Sequence, residues 1–158
     1  LMVGGTYLVT AGSWSWDVAI IGLVYALGPT SVLFGKHTDK LLEDKKKKVH
    51  TLPVILGEKA ARYTNIGNWI MQYLLVIGLV IFQYVTPVML IVVLAIPKFF
   101  KTAKIYAKPR PTEAPADLPP NVWPLYLSAN AFQYNKSFGG LFLLALIIEL
   151  VLVKTGVF

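Results

Sequence analysis

The chain of 158 residues is 56% hydrophobic with a mean hydropathy of +0.61, more apolar than a soluble domain, where roughly half or less is apolar. That excludes a water-soluble globule and predicts an integral membrane protein. The formal charge of +7 would suggest nucleic acid in a soluble protein; here the lysines gather in loops between apolar stretches, so topology, membrane lipid or diphosphate explains them and no nucleic acid is expected. The absence of cysteine removes any disulfide framework or thiolate metal site.

The apolar opening, 1–12, has no charged region ahead of it and is not a signal peptide. It reads as entry partway through a helix, so 1–158 is expected to be one membrane domain forming the carboxyl half of something longer. Ser13-Trp14-Ser15-Trp16-Asp17 predicts an interfacial turn, because tryptophan rings favour headgroup depth, and Ser15 or Asp17 can cap the helix that follows. That helix is predicted over 18–34, just long enough for a hydrocarbon core of about 30 Å. Gly28-Pro29 inside it would break a soluble helix. In a membrane bundle, neighbouring helices or a polar cavity can satisfy the freed backbone groups, so the pair marks either a kink at a cavity or close packing of a small residue.

A dense polar insert interrupts the apolar pattern at 35–64. It places Asp39, Glu43 and Asp44 beside Lys36, Lys40, Lys45, Lys46, Lys47 and Lys48. Carboxylate oxygens suit a hard ion such as Mg²⁺, which usually binds through one or two of them plus phosphates and water, and ammonium groups suit the phosphates. The plainer reading is a lysine-rich loop that only sets topology. Short helical pieces are predicted near 39–47 and 52–63. His50 can contact diphosphate when protonated or be an ordinary solvated histidine.

The nearly uncharged stretch 65–96 is long for one crossing and tight for two. A single crossing would put Lys59 and Arg62 on the opposite face from Lys98, Lys101 and Lys104, against the rule that basic loops share one side. The prediction is a hairpin: a helix over 66–84, a turn near Val85-Thr86-Pro87, and a return helix over 88–106. Gln72, Tyr73, Gln83 and Tyr84 are expected to bond between helices. A proline-rich loop, 107–124, should be extended and cytoplasmic, the segment 125–135 interfacial, and a last crossing should run over 138–153. Glu149 inside that crossing is costly unless paired, and snorkelling or a structural pairing is expected for it.

The insert resembles the second aspartate-rich motif of the UbiA superfamily of intramembrane prenyltransferases, an Asp-x-x-x-Asp pattern followed by basic residues, a Gly-x-Arg-Thr-Leu-type turn and a Val-x-Leu-Gly ending. Asp44 falls on the second aspartate, Lys45 and Lys46 on the basic pair, and Thr51-Leu52-Pro53-Val54-Ile55-Leu56-Gly57 on the closing signature. Lys40 stands at the first aspartate position with Asp39 one residue off, and Lys48 where glycine is usual. Residues 4–12 look like the end of the fifth helix of that nine-helix family.

The resemblance implies an all-α integral membrane fold, a bundle of about four full transmembrane helices plus a partial one, forming the second half of the nine-helix architecture. It implies an inner or cytoplasmic membrane with the motif loop 35–64 on the cytoplasmic side. It also implies Mg²⁺-dependent transfer of an isoprenyl group from an isoprenyl diphosphate to a hydrophobic acceptor, aromatic, quinone precursor or lipid. The metal would be held by Asp44 with Asp39 or Glu43, and the diphosphate by Lys36, Lys40, Lys45, Lys46 and His50. No Asn-Asp-x-x-Asp motif occurs in the chain. The first metal site would then come from a missing N-terminal half or other membrane subunits, and these residues alone are expected to be inactive. The alternative is a non-catalytic membrane subunit that binds a quinone, pigment or lipid within a larger complex.

Overall fold

The computed structural model describes residues 2–155 apart from 117 and 120. In chain order it contains α1 (Met2–Ala11), α2 (Trp16–Asp39), α3 (Leu41–Lys46), α4 (Leu52–Leu56), α5 (Glu58–Ile81), a 3₁₀ segment (Pro87–Ala95) running directly into α6 (Ile96–Tyr106), and α7 (Tyr126–Lys154). Among the described residues there is no strand.

Ser15 starts α2 as its position predicts. Its backbone is extended and its hydroxyl oxygen accepts from the Val18 N–H at 3.4 Å, which satisfies one of the orphan donors of the first turn. The helix does not stop near Phe34, however, but continues to Asp39. The reason lies in α7. The Asp39 carboxylate accepts from the backbone N–H groups of Leu127, at 3.0 Å, and Ser128, at 2.9 Å. An acidic group at the unsatisfied, positive end of a helix is favourable, and with that end capped α7 begins at Tyr126 rather than 138. The segment 125–135, expected as a separate interfacial piece, forms the first turns of one continuous helix.

Three helices, α2, α5 and α7, are long and apolar enough to cross a membrane, and α1 contributes a shorter apolar one. The expected return helix is composite, 9 residues of 3₁₀ followed by 11 of α-helix. At about 2.0 and 1.5 Å per residue these span on the order of 34 Å, of which the part from Lys98 onward carries the basic residues. The hairpin itself is present. Arg62, 5% exposed, donates to the carbonyls of Tyr106 at 2.7 Å and Lys108 at 2.6 Å, which sets the start of α5 beside the end of α6. Their basic residues therefore share one side, as the charge argument required.

The far turn is closed from α7. Glu149 accepts from the Thr86 N–H at 2.8 Å and from the Thr86 hydroxyl, so the acidic residue in an apolar helix has a structural pairing. Glu149→Gln keeps a carbonyl acceptor and loses the charge assistance, so we expect a loss of about 1 kcal/mol in denaturant unfolding in micelles.

Small residues let the helices approach. A Cβ on Gly28 would lie 1.9 Å from Asn135 Oδ1, and one on Gly35 would lie 3.1 Å from the backbone of Ser128 and 2.6 Å from the Tyr106 hydroxyl. Between α2, α5 and α7 sit Trp69, Tyr134, Phe138 and Phe142, all essentially buried, with Trp69 ring centroids 4.8 Å from Tyr106 and 5.0 Å from Tyr134. Polar ties cross the same core. Gln72 donates to the Val24 carbonyl at 3.0 Å and accepts from the Tyr134 hydroxyl at 3.3 Å, and Asn65 donates to the Ser31 carbonyl at 2.9 Å. Where there is no water, such bonds hold helices together. Tyr84, by contrast, is 57% exposed in the turn after α5.

Candidate functional site

The polar insert begins while α2 is still helical, and helical geometry separates its residues. Lys36 is exposed and His37 half-buried, whereas Asp39, at the end of the helix, is buried against the start of α7. At Lys40 the helix ends, and α3 turns back over the face that carries His37. Asp44 then reaches it: His37 Nδ1 and Asp44 Oδ2 are 3.0 Å apart, with the side chains 32% and 16% exposed.

The end of α3 fixes that return. The Lys48 N–H donates to the Lys45 carbonyl at 3.1 Å, and the Val49 N–H to the Asp44 carbonyl at 2.9 Å, the paired bonds of a Schellman stop. Such a stop needs a left-handed residue, and Lys48 has φ 55°. Glycine is the residue that takes this conformation without steric cost, which accounts for a lysine being unusual here. Lys48→Gly is expected to raise unfolding stability by about 1 kcal/mol, read by thermal unfolding in detergent. Gly57 closes the next step with φ 79° and ψ 161° between α4 and α5, a backbone that L side chains rarely adopt.

Three hollows run along α2. The first, about 670 Å³, lies between α1 and α2 and is lined by Val3, Trp14, Gly22, Tyr25 and Pro29, among others. A second, about 390 Å³, shares Pro29 and continues past Leu33 to Lys36 and to Phe132 of α7. A third, about 320 Å³, shares Leu33 and includes His37 and Thr51. Lys36 and His37 thus stand in two neighbouring hollows that have Leu33 in common. Pro29 lines the first two hollows, and Gly28 packs closely on α7, as expected of a small residue in a helix contact.

The carboxylates divide sharply. Asp39, with a fully buried side chain, accepts from Arg110 Nε at 3.1 Å in addition to the two α7 backbone donors. Arg110 also donates through its backbone to Glu58 Oε1 at 2.9 Å and through its guanidinium to the Pro124 carbonyl at 2.9 Å, and lies 4.5 Å over the Trp123 ring. The proline-rich segment is therefore strapped across the ends of α2, α5 and α7 and is not a slack connection. Glu43, Lys45, Lys46 and His50 are exposed at the rim, and Lys40 is half-buried. Asp44 stands beside the third hollow through His37.

The carboxylates differ in what they leave open to a divalent ion. Asp44 fits: Oδ2 meets His37, and no hydrogen bond occupies Oδ1. Asp39 does not, because its oxygens are committed to Arg110 and α7. Among the described residues no group of three or more His, Asp or Glu could hold a metal. His37 and Arg110 were not singled out from sequence. A signal for His37 was its spacing of seven residues from Asp44, two turns of a helix, but contact depends on the break at Lys40.

A model of the UbiA prenyltransferase family matches residues 1–125. The chain belongs to the UbiA prenyltransferase family. No curated protein and no solved structure matches it. As a UbiA protein it is a prenyltransferase-type integral membrane protein.

Proposed function

We propose that this UbiA chain provides the half-site of a prenyltransferase that takes an isoprenyl diphosphate, with the hydrocarbon chain along α2 and the diphosphate at Lys36, His37 and Asp44. The single observation that carries this is the row of mainly apolar hollows along α2, one of which includes Lys36 and another His37. That polarity matches an amphiphile with an anionic head. Lys40, Lys45, Lys46 and His50 stand at the rim, where they would meet the outer phosphate. Basic residues gathered on one side favour a cytoplasmic location for the 35–64 and 107–124 segments.

In the transfer, the bond between the prenyl C1 and the diphosphate oxygen breaks with its electron pair on the leaving diphosphate. A hydrophobic acceptor, aromatic, quinone precursor or lipid, forms the new bond to C1 and releases its proton to solvent. Lys36 and the rim lysines stabilise the charge that develops on the diphosphate, and the oily walls around Pro29 and Leu33 keep water from the carbocation. Mg²⁺, when bound, supplies further neutralisation of that charge, with Asp44 as its ligand in this chain and Glu43 next to it in sequence. We assign Asp39 to holding the strap rather than to the ion. The remaining ligands would come from outside these residues.

The test is prenyl transfer by the full-length protein, with and without Mg²⁺. The expected result is turnover that chelation abolishes and added Mg²⁺ restores. Tight isoprenyl diphosphate or quinone binding that needs no Mg²⁺ and gives no turnover would instead establish a non-catalytic subunit.

A further inference from the structure

The mouth carries a second basic feature that shares no residue with the hollows along α2. Lys98, Lys101, Lys104 and Lys108 recur every three or four residues along α6 and its exit turn, so they form one stripe. None of them has an acidic partner among the described residues. The composite crossing that leads into the stripe exposes Leu90, Leu94 and Phe100, at 37%, 68% and 57%, as a lipid-facing element should. Going along this crossing, the exposed surface changes from hydrocarbon to ammonium over one or two turns.

At the end of the stripe lies a groove of about 300 Å³, walled by Lys104, Ile105 and Lys108 on one side and by Pro109, Pro111 and Tyr126 on the other. Two ammonium groups set in apolar walls, directly below an acyl-chain surface, complement one kind of occupant. We propose that this groove is a binding site for an anionic phospholipid, its phosphate between Lys104 and Lys108 and its acyl chains against the exposed face of the crossing.

The site also has a mechanical setting. Arg110 lies between Pro109 and Pro111 of the groove, and its guanidinium is bound to Asp39 on the inner side. A headgroup seated on Pro109 and Pro111 therefore bears on the same strap that Arg110 fastens. Anionic lipid would hold the proline-rich segment against the end of the bundle from outside while the buried ion pair holds it from within.

The experiment uses the full-length protein incubated with phosphatidylcholine vesicles with or without phosphatidylglycerol, then extracted and analysed for retained lipid by native mass spectrometry. Wild type should retain phosphatidylglycerol in preference to phosphatidylcholine. Lys104→Gln/Lys108→Gln should bind it about thirty-fold more weakly, about 2 kcal/mol at roughly 1 kcal/mol per lysine. Lys47→Gln/Lys48→Gln, which removes the same charge from the other lysine cluster, should retain it fully. Equal retention by the Lys104/Lys108 variant overturns the proposal. So does an equal loss in the Lys47/Lys48 variant, which would mean diffuse attraction, or displacement by inorganic phosphate alone, which would mean a free-anion site. Equal retention of phosphatidylcholine also overturns it.

Discussion

Replacing Asp39 with Ala is expected to cost about 3–5 kcal/mol of stability, because it breaks a buried pair by deleting one partner. The carboxylate is fully buried and holds Arg110 together with the first free N–H groups of α7. Without it those donors lose their acceptor at a depth where water cannot replace it. Membership of the same node by Glu58 and Pro124 leaves Arg110 some alternative contacts, which places the expected value toward 3. Against a total of about 5–15 kcal/mol for a domain, this is a large share, and the variant should be recovered in low yield. Asp39→Asn, which keeps one acceptor oxygen, should lose less. Unfolding in micelles would measure both, together with Arg110→Gln and the double variant; the double should lose less than the sum of the singles, since each breaks the same interaction. Stability of Asp39→Ala within about 0.5 kcal/mol of wild type, the usual range for surface changes, would refute the role assigned to this node.

Asp44→Ala should behave in the opposite way. Among the described residues its side chain bonds to His37, while the backbone bonds that shape the turn are independent of it. We expect unfolding to change little and prenyl transfer by the full-length protein to fall by on the order of 10²–10³, the usual cost of removing one preorganised electrostatic contact from a reacting centre. Asp44→Asn should lose nearly as much, because the charge is what the proposal requires. His37→Ala should lose less, since it orients Asp44 and lines the hollow without carrying the charge. Full transfer activity in Asp44→Ala would overturn the role assigned to this carboxylate. The two aspartates, five positions apart, should thus separate cleanly: one variant unfolds and the other folds without working.

Much of the architecture was legible because it follows from local composition. Apolar runs of crossing length, the Ser15 start of α2, and the one-sided distribution of basic residues that demanded a hairpin all depend on residues near one another in the chain or on the cost of polar groups in lipid. The closing signature at 51–57 located the family region for the same reason. Its glycine answers to a local backbone conformation, φ 79° with ψ 161°, that L side chains rarely adopt.

Tertiary structure alone decided what each acidic residue does. Asp39 and Asp44 are the same residue type in one polar insert, and nothing local tells them apart. The end of α2 directs the first toward α7 and Arg110, residues 71 to 89 positions away, while the break at Lys40 folds the second back onto His37. Burial and pairing of a charge depend on what the bundle brings beside it. In this chain the partners arrive from the proline-rich segment and the last helix, so sequence fixes the supply of charges and packing fixes their use.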